Sequence, residues 1–120
     1  MEPTRITADE AKERLDRGEP LLFLDTRNPE AWQNSNIKLR GALRVSVDEA
    51  PDYLGELPTG RAIVTYCTCP NEASSAKLAK TLLDHGFKNV HPLYGGLDAW
   101  QAAGYPIEPK ETGRGVVSSN

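Results

Sequence analysis

Two short, uniformly apolar runs constrain this chain more than any other feature. Leu21-Leu22-Phe23-Leu24-Asp25 and Arg61-Ala62-Ile63-Val64-Thr65-Tyr66 are too brief for helices and show no polar alternation. A strand with one wet face alternates, so continuous apolarity means burial on both faces, the habit of parallel sheets covered by helices. Helices with sharp starts lie before, between and after these runs. Thr7-Ala8-Asp9-Glu10 fits a capping box, in which the Thr hydroxyl and the Glu carboxylate satisfy each other's backbone amides. It predicts a helix over 8–17 closed by Gly18. Asn28-Pro29-Glu30 opens a second helix, with Asn as cap and Pro where its missing N–H costs nothing, and Trp32 is expected in the core. Arg44-Val45 reads as a very short strand, and Ser46-Val47-Asp48-Glu49 as another capped helix of about two turns. Residues 75–85 carry Ala76, Leu78, Ala79, Leu82 and Leu83 at helical spacing and stop at Gly86. Asn89-Val90-His91-Pro92-Leu93-Tyr94 is a last strand, with Pro92 at an edge or irregular point, and 97–103 a last short helix stopped by Gly104.

Strands alternating with helices over about 100 residues imply an α/β domain with a mainly parallel sheet and right-handed crossovers. A length of 120 residues suits one domain. The hydrophobic share of 38%, with 10 glycines besides, is that of a globular chain and excludes disorder throughout. Residues 110–120 are polar and aperiodic and read as a flexible tail. Fourteen basic against 17 acidic residues give a net charge of −3, which argues against nucleic acid or an anionic membrane as partner. The longest apolar run is four residues, far below the ~20 of a membrane-spanning helix. No basic segment followed by an apolar one opens the chain, so a cytoplasmic, reducing setting is expected. Cys67 and Cys69 flank a single residue and cannot staple distant parts of a fold; they belong to one local site.

Cys67 follows the best strand and precedes a helix. In an open parallel sheet, ligands bind beyond the carboxyl ends of strands, where loop amides and helix N-termini point outward. Such surroundings favour a thiolate over a thiol, which makes nucleophilic sulfur chemistry plausible. A buried structural cysteine is the alternative at such a position.

Four ordered segments resemble the rhodanese-like family. They are Leu24-Asp25-Thr26-Arg27 with Pro29-Glu30-Ala31-Trp32; Gly41-Ala42; Tyr66-Cys67 with Ser75-Ala76-Lys77; and Tyr94-Gly95-Gly96-Leu97-Asp98-Ala99-Trp100 with Ala103-Gly104-Tyr105-Pro106-Ile107. The resemblance implies a three-layer domain over 1–109, with a central, mainly parallel sheet of about five strands and helices on both faces. It implies a sulfurtransferase in which Cys67 takes a sulfane sulfur from a donor, holds it as a persulfide, and passes it to a thiol or cyanide. The cradling loop would comprise Thr68, Pro70, Asn71, Glu72, Ala73 and Ser74. Backbone amides can hold thiolate and persulfide in turn, so neither a metal nor an organic cofactor is expected. The partners are a small-molecule sulfur donor, thiosulfate or a low-molecular persulfide, and a thiol acceptor; a protein-bound persulfide is a further donor.

The loop departs from the commonest family pattern. No Arg or Lys lies between Cys67 and Lys77, and Glu72 adds a negative charge, so a dianionic donor is less favoured. Cys69 is a candidate relay or resolving thiol, with a small apolar filler as the plainer reading. Asp25 and Arg27 read as an ion pair bracing loops. His85 and His91 have no metal-pair spacing, and Gly95-Gly96 suits a tight turn against the cysteine loop. A phosphatase of this fold needs an arginine six positions after the cysteine, where this chain has Ala73. The competing function is a non-enzymatic interaction or redox-sensing module using Cys67 and Cys69.

Overall fold

The computed structural model describes residues 3–45, 60–68 and 73–110. The elements run α1 (Ala8–Asp16), β1 (Leu21–Asp25), α2 (Pro29–Gln33), β2 (Ile37–Leu39), β3 (Leu43–Arg44), β4 (Ala62–Tyr66), α3 (Ala73–Asp84), β5 (Val90–Pro92), α4 (Gly96–Ala102) and β6 (Ile107–Pro109). The expected α/β architecture is present. Four parallel strands lie in the order β3-β1-β4-β5, so the two continuously apolar runs occupy the centre. Every residue of β4 is buried, as is β1 after its first residue.

Among the described residues the sheet holds four strands, where about five were expected. Its fifth position is filled by a single residue: Ile6 bridges Leu93 beside β5, its amide donating to the Pro92 carbonyl at 2.9 Å and its own carbonyl accepting from Tyr94 at 2.8 Å. The Leu93 amide faces β4, donating to Thr65 at 2.7 Å, so the N–H that Pro92 lacks would have pointed to the other, edge side. A second, antiparallel pair, β2 with β6, was not foreseen.

One core packs α1 and α4 against one sheet face through Phe23, Val64, Leu93, Leu97 and Trp100. The other packs α3 against the opposite face through Leu22, Leu24, Ile63, Leu78 and Leu82. Trp100 is 1% exposed, edge-on to Phe23 with ring centroids 5.3 Å apart. Trp32 does not join either core, contrary to the sequence reading. It is half-buried on α2, and three cationic side chains approach its ring. An indole face attracts cations as well as apolar groups, and hydropathy reports only the second.

The helix starts follow the sequence. Thr7 Oγ1 accepts from the Glu10 amide at 3.1 Å while the Thr7 amide donates to Glu10 Oε1 at 2.9 Å. That bond from the Thr7 backbone holds the Glu10 carboxyl below its usual range. Asn28 caps α2 by accepting from the Ala31 amide at 2.8 Å, with Pro29 first in the helix. The capped helix expected at 46–49 and the tail beyond Lys110 lie outside the described residues.

Two positions test what fixes the sheet's carboxyl end. Arg27 and Asp25 form a buried pair, Nη2 to Oδ2 2.7 Å with both side chains at most 1% exposed. Arg27→Met strands the Asp25 charge, and urea unfolding should show a loss of about 3–5 kcal/mol. Arg17→Met removes an exposed pair with Glu13 and should cost less than about 1 kcal/mol. Gly96 has φ +58°, and a Cβ there would lie 2.0 Å from the Cys67 carbonyl oxygen. Gly86 has φ +98° with open space around the same position. Gly96→Ala should therefore lose at least about 3 kcal/mol, and Gly86→Ala about 1 kcal/mol, by the same measurement.

Candidate active site

Cys67 stands one residue past β4, at the carboxyl end of a central strand. Bonds on three sides hold it there. The carbonyl of Tyr66, just before it, accepts from both the amide and the hydroxyl of Thr26, at 2.8 and 3.0 Å, across from β1. Its own carbonyl accepts from the Leu97 amide at 3.1 Å, in the first turn of α4. Thr65, two residues back, donates its hydroxyl to the Ser75 carbonyl at 2.9 Å and so ties the start of α3 to β4.

The last of these ties brings a hydroxyl to the sulfur. The Cys67 sulfur lies 3.8 Å from Ser75 Oγ, with the thiol donating, so the first turn of a twelve-residue helix is in contact with the sulfur. On ionisation the same hydroxyl can turn and donate to the thiolate. The positive end of the α3 dipole lies on the same side. Cys67 is 1% exposed, so the sulfur is sheltered from bulk water.

The Leu97 bond requires the glycines before it. Gly95 and Gly96 have φ +78° and +58°, and Gly96 passes over the Cys67 carbonyl too closely for any side chain. The tight turn against the cysteine loop that the sequence suggested is therefore where α4 begins.

Below the cysteine, Tyr66 is buried and its hydroxyl accepts from the Leu39 amide at 3.2 Å. Burial, and then the neighbouring Asp25 carboxylate, push the Tyr66 phenol far above its ordinary value, so it is neutral throughout the working range. Asp25 is occupied by Arg27, whose Nε lies 3.0 and 2.9 Å from its two oxygens and whose amide donates to Oδ1 at 3.0 Å. Arg27 Nη2 also donates to the Ile37 carbonyl at 2.9 Å. The pair braces β1 against β2.

Of the residues the sequence assigned to the loop, Thr68 is exposed and Ser74 half-buried, and Ala73 opens α3. Cys69, Pro70, Asn71 and Glu72 lie outside the described residues. His85 and His91 each turn Nδ1 to a backbone carbonyl, of Thr81 and Thr4, at 2.8 Å. Sequence reasoning missed Ser75 and Thr26 as site residues. Ser75 is one residue past the expected loop, and only the helix start at Ala73 turns it toward the sulfur; Thr26 was passed over between two charged neighbours.

The comparisons with known proteins agree with this architecture. Residues 7–103 match the family model described as a rhodanese-like domain. A protein of Allochromatium vinosum named sulfurtransferase is 30% identical over 106 residues, covering 88% of this chain and 95% of that protein. The adenylyltransferase and sulfurtransferase MOCS3-2 of Zea mays is 33% identical over 113 residues, 90% of this chain, yet the chain spans only 22% of its length. The solution structure of the rhodanese-like domain from the Alr3790 protein of Anabaena superposes with a TM-score of 0.72 at 30% identity, covering 90% of this chain and 80% of that one. The fold, the placement of the cysteine and these likenesses lead to one statement: the chain belongs to the rhodanese-like domain family.

Proposed function

We propose that this domain is a sulfurtransferase that carries sulfane sulfur as a persulfide on Cys67. The observation that carries the reading is the position of the sulfur, at the carboxyl end of a central parallel strand and 3.8 Å from a hydroxyl in the first turn of α3. Relatives named sulfurtransferase support it. In the first half-reaction the Cys67 thiolate attacks the outer sulfur of a donor persulfide. The donor's S–S bond breaks, its thiolate leaves with the electron pair, and the proton stays on the transferred sulfur. In the second, an acceptor thiolate attacks that outer sulfur and the Cys67 thiolate leaves. Both halves are displacements at sulfur with no net oxidation, and the order is ping-pong. Because 68–76 holds no Arg or Lys, a low-molecular persulfide suits the site better than dianionic thiosulfate.

Cys69 supplies a branch. Its thiolate would attack the inner sulfur of the Cys67 persulfide, releasing hydrosulfide and leaving a Cys67–Cys69 disulfide; the two thiols are oxidised as the sulfane sulfur is reduced.

Intact mass spectrometry after brief exposure to glutathione persulfide and, separately, thiosulfate is expected to show one added sulfur. It should be lost in Cys67→Ser and retained in Cys69→Ser, and sulfide release should fall in the latter if the branch operates. No added sulfur with either donor, together with a Cys67–Cys69 disulfide under mild oxidant, would replace this reading with the redox or interaction module. Ser75→Ala removes the hydroxyl beside the sulfur and should slow persulfide formation about tenfold, equivalent to roughly 1.4 kcal/mol, in stopped-flow measurements.

A further inference from the structure

The positive charge that the loop lacks is gathered elsewhere on the sheet's carboxyl edge. Around the ring of Trp32 stand Lys110 Nζ at 4.5 Å, Arg27 Cζ at 5.1 Å and Arg44 Cζ at 5.4 Å. Asp25 neutralises Arg27. Among the described residues no carboxylate lies within ion-pair distance of Arg44 or Lys110, although the chain carries more acidic than basic residues.

What holds Arg44 and Lys110 in place is neutral. Arg44 Nη2 donates to the Arg27 carbonyl at 3.0 Å, and the Lys110 ammonium to the Trp32 carbonyl. The Lys110 amide donates to the Asn36 carbonyl at 3.0 Å, at the end of the β2–β6 pair. Arg44 Nε is buried with no acceptor among the described residues. A buried guanidinium N–H without a partner is costly, and an arginine fork is shaped for a carboxylate. Lys110 feels the crowding, its amine held below the ordinary lysine value by burial and by the charges of Arg27 and Arg44.

The cluster stands at the same end of the sheet as the nucleophile. Arg44 pairs with Asp25 and Asp25 with Tyr66, so these side chains share one face, while Cys67, one residue on, turns its sulfur to Ser75 on the face that α3 covers. Two strand spacings of roughly 4.8 Å put the β3 backbone at Arg44 on the order of 10 Å from β4. A donor about three extended residues long would span that distance by passing over the strand ends.

We infer that Arg44 and Lys110, set on the face of Trp32, form an anion site that holds a carboxylate of a small peptide-sized persulfide while its sulfur reaches Cys67. The inference deepens the sulfurtransferase reading and rests on it for the identity of the ligand. It resolves a mismatch of charge, since the loop offers no cation to an anionic donor and the strand ends beside it offer two.

The test compares Arg44→Gln, Lys110→Gln and the double variant with the parent chain, using glutathione persulfide and the uncharged 2-hydroxyethyl persulfide as donors. The ratio of kcat/KM for the first over the second is expected to fall about tenfold in the double variant and less in each single one. Arg17→Gln, remote from the cluster, controls for net charge. An unchanged ratio in the double variant, or an equal fall in Arg17→Gln, overturns the site. Lys110 lies at a half-exposed chain position, so Lys110→Gln keeps the test open if Arg44→Gln fails to fold. Binding is read apart from turnover by calorimetric titration of the Cys67→Ser protein with S-methylglutathione, whose Kd should rise about tenfold in the double variant. If no donor loads Cys67 while S-methylglutathione binds and needs Arg44 and Lys110, the sulfurtransferase reading fails and the anion site stands.

Discussion

The buried pair of Asp25 and Arg27 is the joint on which the carboxyl end of the sheet depends. Each partner is stripped of water, a cost that Coulomb attraction repays only when the remaining polar atoms are satisfied. Here they are engaged from several sides: Asp25 accepts from the Arg27 amide as well as its guanidinium, and Arg27 Nη2 reaches the carbonyl of Ile37. The Arg27 carbonyl in turn accepts from Arg44. One ion pair thus links the end of β1 to β2 and β3. Since Thr26, between the two charged residues, grips the Tyr66 carbonyl, the same joint also sets the position of the residue before Cys67. Such a pair adds little net stability over a packed apolar core but is expensive to break, and its main effect is to specify which loops meet.

How much of this was readable beforehand follows from the range of each interaction. The capping box at Thr7, the Asn-Pro start of α2 and the two central strands depend on residues within a few positions of each other, and all were legible. The β2–β6 pair joins three-residue strands far apart in the chain, Ile37 with Pro109 and Leu39 with Ile107, too short to show a period. The fifth position of the sheet shows the same limit, since a single residue, Ile6, bridges there. Trp32 shows a different limit: its position on the second helix was legible, but its cationic surroundings come from Arg44 on β3 and Lys110 after β6.

The candidate site divides likewise. That a cysteine at the end of the strongest strand meets a helix start could be read from the order of elements, and the close approach of Gly95-Gly96 from the glycines themselves. That Ser75 touches the sulfur depends on where α3 begins, and helix boundaries are the least readable part of a sequence.

The separation between the sulfur and the cations decides what the cations can do. Arg44 stands two strands from Cys67, on the order of 10 Å between backbones, and even at that range a unit charge acts on another with roughly 0.4 kcal/mol in water and 1.7 kcal/mol at an effective dielectric of 20. At physiological salt the screening length is ~8 Å, so the lower figure is the better guide for a group near the surface. Arg44 and Lys110 therefore cannot substitute for a loop cation in holding a Cys67 thiolate; among the described residues it is the Ser75 hydroxyl, at the start of α3, that touches the sulfur. The cations act only on what they contact, so in the proposed transfer their effect belongs to capture of a donor rather than to the displacement at sulfur. On the proposed reading, the nucleophile and the anion site stand on separate elements, β4 on one side and β3 with the end of β6 on the other, and each can change without the other.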